Sequence, residues 1–453
     1  MKKTAVAVLV VLAILLLTPL ALGRLAERHA VALLDGATED TSYLSVVGHE
    51  WERGWFRSRQ QVTLELVQPD DAARERFIIH NHILHGPLLG LAGIGAARVT
   101  STVDLPAELA ADLRETFGPE PAMTMTTRFG FLGGGSTRLV SQGRTLTPAD
   151  GEAQIMYETA RLKVGFDRGM ERYAIDGRLP RIEVRGRDGQ LAVFDRLTLE
   201  GDARSVAGFR YLHDSQFAMR LRGVEVSGPA TSFAVQDARY AGEMKIRDGL
   251  VGIAIELGSG AVEGAPVQAS GLAVTGLHYD LSLDRLDAAS VEAMYASIQD
   301  AYSQLPDPAA EVTGDAVAQQ QAVEQGFAVS MAQHVDGMLA HDPVLTLRRV
   351  ALLTPDGEVL LEGEVRVVDL TLQDLQAAGL PGMLGRLQAD LEFSMAQAVA
   401  GKLPNGEMMA EFGIMAGYLL RETDQLVSRI QYRNGTLTVN GQTQVVPLPG
   451  VAR

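Results

Sequence analysis

Alternation of apolar and polar residues through the middle of the chain constrains the fold more than any other feature. Between residues 153 and 285 the pattern recurs in many short segments, and the clearest one carries Val251, Ile253, Ile255 and Leu257. A period of two residues places such side chains on one side of a β-strand. The alternation predicts a mainly β (β-rich α+β) fold with a long, curved antiparallel meander. Dipeptides typical of hairpin turns separate the segments: Asp176-Gly177, Asp188-Gly189, Gly201-Asp202 and Asp248-Gly249.

Two segments change to the helical period. Ser290–Leu305 and Asp315–Leu339 repeat apolar residues at intervals of three and four, which predicts amphipathic helices. Because an open sheet would leave its apolar side in water, we expect both helices to pack on it. Other predicted elements are a short helix over Leu105–Phe117, a hairpin at Pro355-Asp356-Gly357, a strand over Leu387–Phe393, a helix over Met408–Leu420 and a hairpin at Asn434-Gly435.

The predicted strands outnumber the helices available to cover them. A sheet of that size curls, splits into two packed layers or leaves surface for another molecule. Curling with partial cover would leave an apolar groove along Val251, Ile253, Ile255 and Leu257, and a groove of that kind is typical of a binding site. A closed sandwich, in which the strands cover each other, is the alternative.

The N-terminal segment Ala5–Leu22 is almost entirely apolar and follows Lys2 and Lys3. As a helix it would reach roughly 27 Å, close to the thickness of a bilayer core. The positive-inside rule then places the N-terminus in the cytoplasm and the main domain in the periplasm. Cleavage as a signal peptide after Ala21-Leu22-Gly23 is the alternative. The predicted single-pass anchor includes Ala5, Val10, Leu15 and Leu22.

Four segments of the chain follow from these patterns. Residues 1–36 are predicted to form the anchor and a juxtamembrane helix, and residues 37–286 the antiparallel meander. Residues 287–342 form the amphipathic helical segment that packs on the sheet. Residues 343–453 add strands and helices that complete the same domain.

Aromatic and glycine clusters are predicted to be structural. Trp51, Trp55 and Phe56 surround Gly54, which favours a tight turn or bulge with aromatic side chains closing one end of a sheet. A stacking site for a ligand and a contact with the membrane interface are the alternatives. No Gly-Lys-Ser or Gly-Lys-Thr of a phosphate loop follows Gly133-Gly134-Gly135, which is predicted to be a hairpin turn.

The histidine and methionine clusters also have structural explanations. In a strand, His80 and His82 share one side and His85 takes the other, so we predict no metal site there. A loose group of methionines is predicted to pack in the core, with an adaptable apolar groove as the alternative. Its members are Met383, Met395, Met408, Met409 and Met415.

Composition and missing motifs exclude several classes of function. The net charge is −16, with a pI of about 5.1, which argues against a nucleic-acid partner because such partners are bound largely by Lys and Arg. The absence of Cys excludes disulfides, thiolate catalysis and lipoprotein acylation. No hydrolase, metalloprotease, phosphate-loop or dinucleotide motif is present. We therefore predict no enzyme activity, no cofactor and no metal; a paired-carboxylate hydrolase is a remote alternative.

Several segments resemble one bacterial family along nearly the whole chain. ERGWFRSR, ILHGPL, DPVLTLRRVALLTPDGEVLLEGEV and SRIQYRNGTLTVNG, together with the N-terminal anchor, are similar to the YdgA-like family of envelope proteins of unassigned function. The resemblance implies a single-pass inner-membrane protein with a periplasmic domain and no assigned catalytic residue. A remoter architectural likeness to AsmA-type envelope proteins, whose elongated curved sheets can shelter lipid, is an analogy of fold.

These observations together predict a membrane-anchored, periplasmic, non-enzymatic envelope protein. The leading hypothesis is a scaffold or binding protein that holds lipid acyl chains on the apolar side of its sheet. The alternative hypothesis is a protein-interaction module that acts as a homo-oligomer or with envelope protein partners.

Overall fold

The computed structural model describes residues 44–67, 74–90, 93–104, 123–147, 153–229, 232–264, 271–303, 332–374, 380–433 and 435–445. The anchor with Ala5, Val10, Leu15 and Leu22, the helix expected over Leu105–Phe117 and most of Asp315–Leu339 lie outside these residues. No helix within the described ranges is both long and apolar enough to cross a membrane. The chain divides into two compact units. The first comprises Met1–Gly151, Glu158–Arg178 and Ala296–Ala328, and the second comprises Glu152–Tyr157, Leu179–Tyr295 and Val329–Arg453.

Antiparallel strands make up nearly all of the first unit that the structure describes. They pair in the order β1-β2-β3-β4-β5-β6-β9, and residues Tyr173–Arg178 of the long strand β10 (Arg172–Gly186) then pair with β9. The bounds are β1 (Leu44–Arg53), β2 (Arg57–Val67), β3 (Arg74–His85), β4 (Ala97–Asp104), β5 (Thr124–Phe129), β6 (Gly135–Ser141), β7 (Arg144–Leu146) and β9 (Ala160–Phe166).

The core of the first unit lies on one side of these strands. Ile83, Val99 and Phe129 are buried together with Ala96 and Ala97, and Trp51 and Phe166 pack against them. The rings of Phe129 and Phe166 meet edge to face, 5.8 Å apart, an arrangement that aromatic pairs prefer. Residues 54–56 form the turn between β1 and β2, as predicted. Trp55 and Phe56 are about half exposed, so only Trp51 contributes to the predicted aromatic packing.

The second unit contains a large antiparallel sheet. Its main order is β11-β12-β13-β14-β16-β17-β18-β19-β21-β22-β23, while β8 pairs with β10, β15 with β13 and β20 with β21. The bounds are β8 (Ala153–Tyr157), β10 (Arg172–Gly186), β11 (Leu191–Ser205), β12 (His213–Ser227), β13 (Ser232–Arg247), β14 (Leu250–Ser259), β15 (Val262–Gly264), β16 (Gly276–Asp287), β17 (Val344–Thr354), β18 (Gly357–Val367), β19 (Leu387–Ala396), β20 (Leu420–Glu422), β21 (Gln425–Arg433), β22 (Thr436–Val439) and β23 (Gln442–Val445).

Helices are few among the described residues, so the prediction of a mainly β fold is confirmed. They are α1 (Ala288–Ser303), α2 (Leu380–Arg386), α3 (Gln397–Lys402) and α4 (Gly406–Met415), and residues 332–339 are also helical. The predicted helix over Ser290–Leu305 corresponds to α1. It begins earlier because the Asp287 carboxylate accepts hydrogen bonds from the Ser290 backbone N–H at 2.8 Å and from its hydroxyl at 2.6 Å, which is the geometry of an N-cap.

The turn chemistry predicted from sequence is partly confirmed. Asp248-Gly249 joins β13 to β14 with both residues at positive φ, as a type I′ turn requires. Asp188-Gly189 and Pro355-Asp356-Gly357 also lie in turns, and Gly133 and Gly134 lie in the loop between β5 and β6.

Two predicted turns are wrong. Asp176-Gly177 lies inside β10 and Gly201-Asp202 lies inside β11. At Gly201 a β-carbon would lie 3.1 Å from the Gln216 carbonyl oxygen and 3.5 Å from the Phe217 ring. The glycine there allows the neighbouring strand to approach closely and does not reverse the chain. Both strands are therefore longer than the sequence pattern predicted.

Candidate functional site

One side of the second unit's sheet is apolar across nine hydrogen-bonded strands, β11 to β14, β16 to β19 and β21; we call it the apolar face. Residues opposite each other in a ladder point to the same side of a sheet. Leu257 is opposite Tyr240 on β13 and Tyr279 on β16, and Ile255 is opposite Leu281. The same alignment continues outward through Leu199, Phe217, Met219, Leu345, Leu347, Val350, Leu361, Leu391, Phe393 and Ile430.

The other side of the same strands is charged. Glu256 lies 3.5 Å from Arg239, and Asp280 lies 3.3 Å from Arg348. Further along, Arg429 makes ion pairs with Glu422 at 2.8 Å and Glu392 at 3.6 Å. The Arg429 hydrogen bond and charge hold the pKa of Glu422 below its usual value. The sheet therefore has one charged side, which suits water, and one apolar side.

Exposure changes along the predicted groove residues. Val251 is fully buried, whereas Ile255 is 36% exposed and Leu257 is 43% exposed. Ile253 lies between them and packs against the buried cluster around Val251. Val251 therefore belongs to the core. Along β14, the exposed fraction then increases from the covered end of the strand to its open part, where Ile255 and Leu257 lie.

Helices cover only two regions of the apolar face among the described residues. At one end, Val291 of α1 packs with Val251 and Leu286, and Met338 lies against this cluster. At the opposite end of the strands, Ala400 of α3 and Ala410 of α4 pack with Leu426 of β21, and Met395 of β19 lies against them. Between these two regions Tyr279 and Leu345 remain 40% and 37% exposed. The apolar face is thus partly covered at its ends and open between them.

Helix α4 turns its large apolar residues outward. Gly406, Ala410 and Gly413 are buried, while Met408, Met409, Phe412 and Met415 are between 65% and 82% exposed. The predicted core role of the methionines is therefore wrong for three of them, and Met395 does pack internally. Small inward residues let the helix approach the sheet so closely that its large side chains fit only on the outer side. The helix ends before the predicted Leu420 because Gly417 adopts positive φ after the C-cap.

The histidines take separate roles. His80 lies 2.8 Å from the Asp104 carboxylate, while the buried His85 bonds Ser58 Oγ and the Trp55 carbonyl oxygen, each at 3.0 Å. His82 lies on the same side as His80, as predicted, and is exposed. In the part of the chain that the structure describes, His, Asp and Glu side chains form no group of three or more suited to a metal ion.

The acid and base groups with displaced pKa values lie mainly in ion pairs. Hydrogen bonding to Arg185 lowers the pKa of Glu183, and hydrogen bonding to Thr371 lowers the pKa of Asp374. On the apolar side, burial raises the pKa of Tyr432. The Glu183 and Asp374 carboxylates are held ionised by these partners, so their lowered pKa values have a structural explanation.

The sequence pattern identified strand sides but missed most of the apolar face. Leu281, Tyr240 and Leu361 belong to it, although nothing local shows that they are neighbours of Ile255 and Leu257. Their own alternation was the available signal, since each lies on the apolar side of its strand. The ladder register then brings them together.

Fold and site define a mainly β protein whose large antiparallel sheet has one open apolar face. The chain belongs to the family described as bacterial protein of unknown function (DUF945), whose family model matches residues 1–447. Comparison with curated proteins and with solved structures gave no match.

Proposed function

We propose that the protein is a membrane-anchored periplasmic binding protein, without enzyme activity, that holds lipid acyl chains on the apolar face. The observation that carries the proposal is the open stretch of this face around Ile255, Leu257 and Tyr279. Exposed apolar patches of large contiguous area mark binding sites on soluble domains. The sequence resemblance to YdgA-like envelope proteins bears only on the proposed location, and the remoter likeness to AsmA-type proteins, an analogy of fold, is what suggests lipid.

The chemistry of the face favours an alkyl chain. Ile255, Leu257, Leu281 and Leu345 offer dispersion contacts and no directional hydrogen bond, which is what a methylene chain requires. Each methylene group removed from water stabilises a complex by about 0.8 kcal/mol. At about 4.8 Å between neighbouring strands, the nine strands of the apolar face span roughly 38 Å. This exceeds the roughly 30 Å thickness of the hydrocarbon core of a bilayer, so the face is long enough for acyl chains.

The proposed location rests on the sequence. The apolar segment Ala5–Leu22 behind two lysines would hold the domain beside the inner membrane, where acyl chains are abundant. The net charge of −16 disfavours broad docking on an anionic bilayer, so the anchor supplies the proximity.

Photo-crosslinking in living cells tests the proposal. A photoreactive amino acid replaces Ile255 or Leu257 on the apolar face, and Glu256 on the charged side is the matched control. Because neighbouring strand residues point to opposite sides, adducts with phospholipid or lipopolysaccharide are expected at positions 255 and 257 and not at 256. Absence of lipid adducts at both apolar positions, with full incorporation confirmed by mass spectrometry, would contradict acyl-chain binding.

A second candidate function is protein interaction, as a homo-oligomer. The outward side of α4 favours it, because Met408, Phe412 and Met415 form an apolar strip with matching chemistry on every copy. A twofold axis through the strip would bury it against itself. Analytical ultracentrifugation of the full chain in neutral detergent tests this. Met408→Gln with Met415→Gln should convert a dimer into a monomer, and a monomeric wild-type protein would rule out this function.

A further inference from the structure

A cavity of about 650 Å³ in the first unit is lined mainly by cationic and polar side chains. It lies where β1 to β4 run side by side, near the turn at Gly54. Its lining includes the cations Arg57, Arg59 and Arg98 and the carboxylate Glu52, with Arg53 at the edge next to the turn. Such a concentration of arginine is unexpected in a protein with a net charge of −16.

Strand register explains why residues distant in sequence meet there. Arg59 is opposite Glu52 on β1 and His82 on β3, and His82 is opposite Thr100 on β4. In the adjoining row, Arg57 and Arg98 lie on either side of Leu84. Since residues two apart in a strand share a side, Arg57, Arg59 and Arg98 all face the same side of the sheet.

The ion pair that Arg59 makes at this cavity is weak. Arg59 approaches Glu52 only to 3.8 Å, and both side chains are largely exposed, so this pair contributes little. The Nε atom of Arg98 is buried and has no hydrogen-bond partner in the described structure. Arg98 is also directly opposite Arg128 on β5, and like charges in that position repel. A bound anion beside Arg98 would offset the repulsion between the two guanidinium groups.

The backbone around the cavity is held in place. Ser58 Oγ bonds His85 Nε2 at 3.0 Å on the far side of the sheet, and the His85 backbone N–H donates to the Phe56 carbonyl oxygen at 2.9 Å. At Gly54 a β-carbon would collide with the Arg57 carbonyl oxygen. These contacts fix the turn that positions Arg53 and Arg57. ERGWFRSR and ILHGPL, two of the segments on which the family resemblance rests, therefore meet at this cavity.

We propose that this cavity binds a phosphate group, either as free phosphate or as the headgroup of an anionic lipid. Guanidinium groups donate two parallel hydrogen bonds to phosphate oxygens, and Arg57, Arg59 and Arg98 offer such donors from one side of the sheet. Thr100 and His82 add polar groups at the same cavity. The inference is independent of acyl-chain binding, because the cavity lies in the first unit and the apolar face in the second.

Calorimetric titration of the full chain in neutral detergent tests the proposal. The probes are inorganic phosphate, soluble short-chain phosphatidylglycerol and the matched phosphatidylcholine. Arg57→Gln with Arg98→Gln should weaken binding of the preferred probe roughly tenfold or more, since hydrogen bonds between charged groups are lost. Arg168→Gln with Arg172→Gln removes the same charge at exposed positions outside the cavity and should leave the affinity unchanged.

The pattern of binding identifies the source of the phosphate group. Preference for phosphatidylglycerol over phosphatidylcholine, with competition by inorganic phosphate, indicates a lipid headgroup. Binding of inorganic phosphate alone indicates a free anion, and either pattern supports the site. If the glutamine variant fails to fold, Arg57→Lys with Arg98→Lys keeps the charge and removes the paired donors, so weaker binding is still expected. Equal affinity in a folded cavity variant, or no binding of any probe by the wild type, overturns the proposal.

Discussion

Single carboxylates fix segments of this protein that the sheet alone does not hold. Glu292 of α1 accepts hydrogen bonds from three consecutive backbone N–H groups, those of Arg210 at 2.6 Å, Tyr211 at 3.0 Å and Leu212 at 3.1 Å. Leu212 is buried in the cluster beneath α1. The carboxylate therefore connects the helix to the loop that leads into β12.

Removing this carboxylate should destabilise the second unit. Glu292→Ala leaves three donors without their acceptor, and we expect the free energy of unfolding to fall by about 2 kcal/mol or more. Urea denaturation followed by circular dichroism measures the change. Glu292→Gln retains one acceptor oxygen and should lose less, so an equal or larger loss would contradict this explanation.

Glu183 provides a pH-dependent contribution to stability. It is buried, and hydrogen bonds from Arg185 at 2.5 Å and Arg181 at 3.2 Å hold its pKa below the ordinary value of 4.5. A lowered folded-state pKa stabilises the fold above the unfolded-state pKa, and this stabilisation is lost as the pH falls toward the folded-state pKa.

Glu183→Gln should therefore reduce stability at neutral pH. The difference in urea midpoint between wild type and variant is expected to be constant above the ordinary value of 4.5 and to shrink below it. Denaturation curves collected from pH 7 down to pH 3 measure it. A difference that does not depend on pH would show that charge plays no part.

Among the elements, the orientation of α4 can be tested by mutation, because its small side chains face the sheet and its large ones face outward. Ala410 is 8% exposed and Met415 is 82% exposed. Ala410→Leu inserts volume into the contact with Leu426 and should destabilise by about 1–3 kcal/mol. Met415→Gln removes an apolar side chain from water and should change stability by less than about 0.5 kcal/mol. Thermal unfolding of both variants measures the contrast, and equal effects would contradict the assigned orientation.

For the molecule as a whole, the proposed function predicts that stability and lipid binding depend on different parts of the apolar face. Val251→Asp places a charge under α1 and should cost more than about 4 kcal/mol, whereas Leu257→Asp leaves the charge in contact with water and should cost less than about 1 kcal/mol. The proposed function predicts that lipid co-purifies with the wild-type protein and that most of it is lost in Leu257→Asp, as measured by mass spectrometry. Unchanged lipid content in a folded Leu257→Asp protein would mean that lipid acyl chains do not bind at the open part of the apolar face.

The sequence by itself determined the features that depend on local chemistry. Alternation identified most strands and the apolar side of β14, and Asp248-Gly249 identified its hairpin because that dipeptide favours positive φ. The same local rules assigned turns to Asp176-Gly177 and Gly201-Asp202, where the pairing of neighbouring strands keeps the chain extended.

Only the tertiary structure decided which residues are neighbours. The alternation of β14 is compatible with many partners, and the register with β16 is what places Leu257 beside Tyr279. Strand pairing likewise brings Arg57 and Arg98 to one cavity, and packing on Leu426 turns the methionines of α4 outward. Pairing and packing depend on contacts between residues distant in the chain, so no local pattern encodes them.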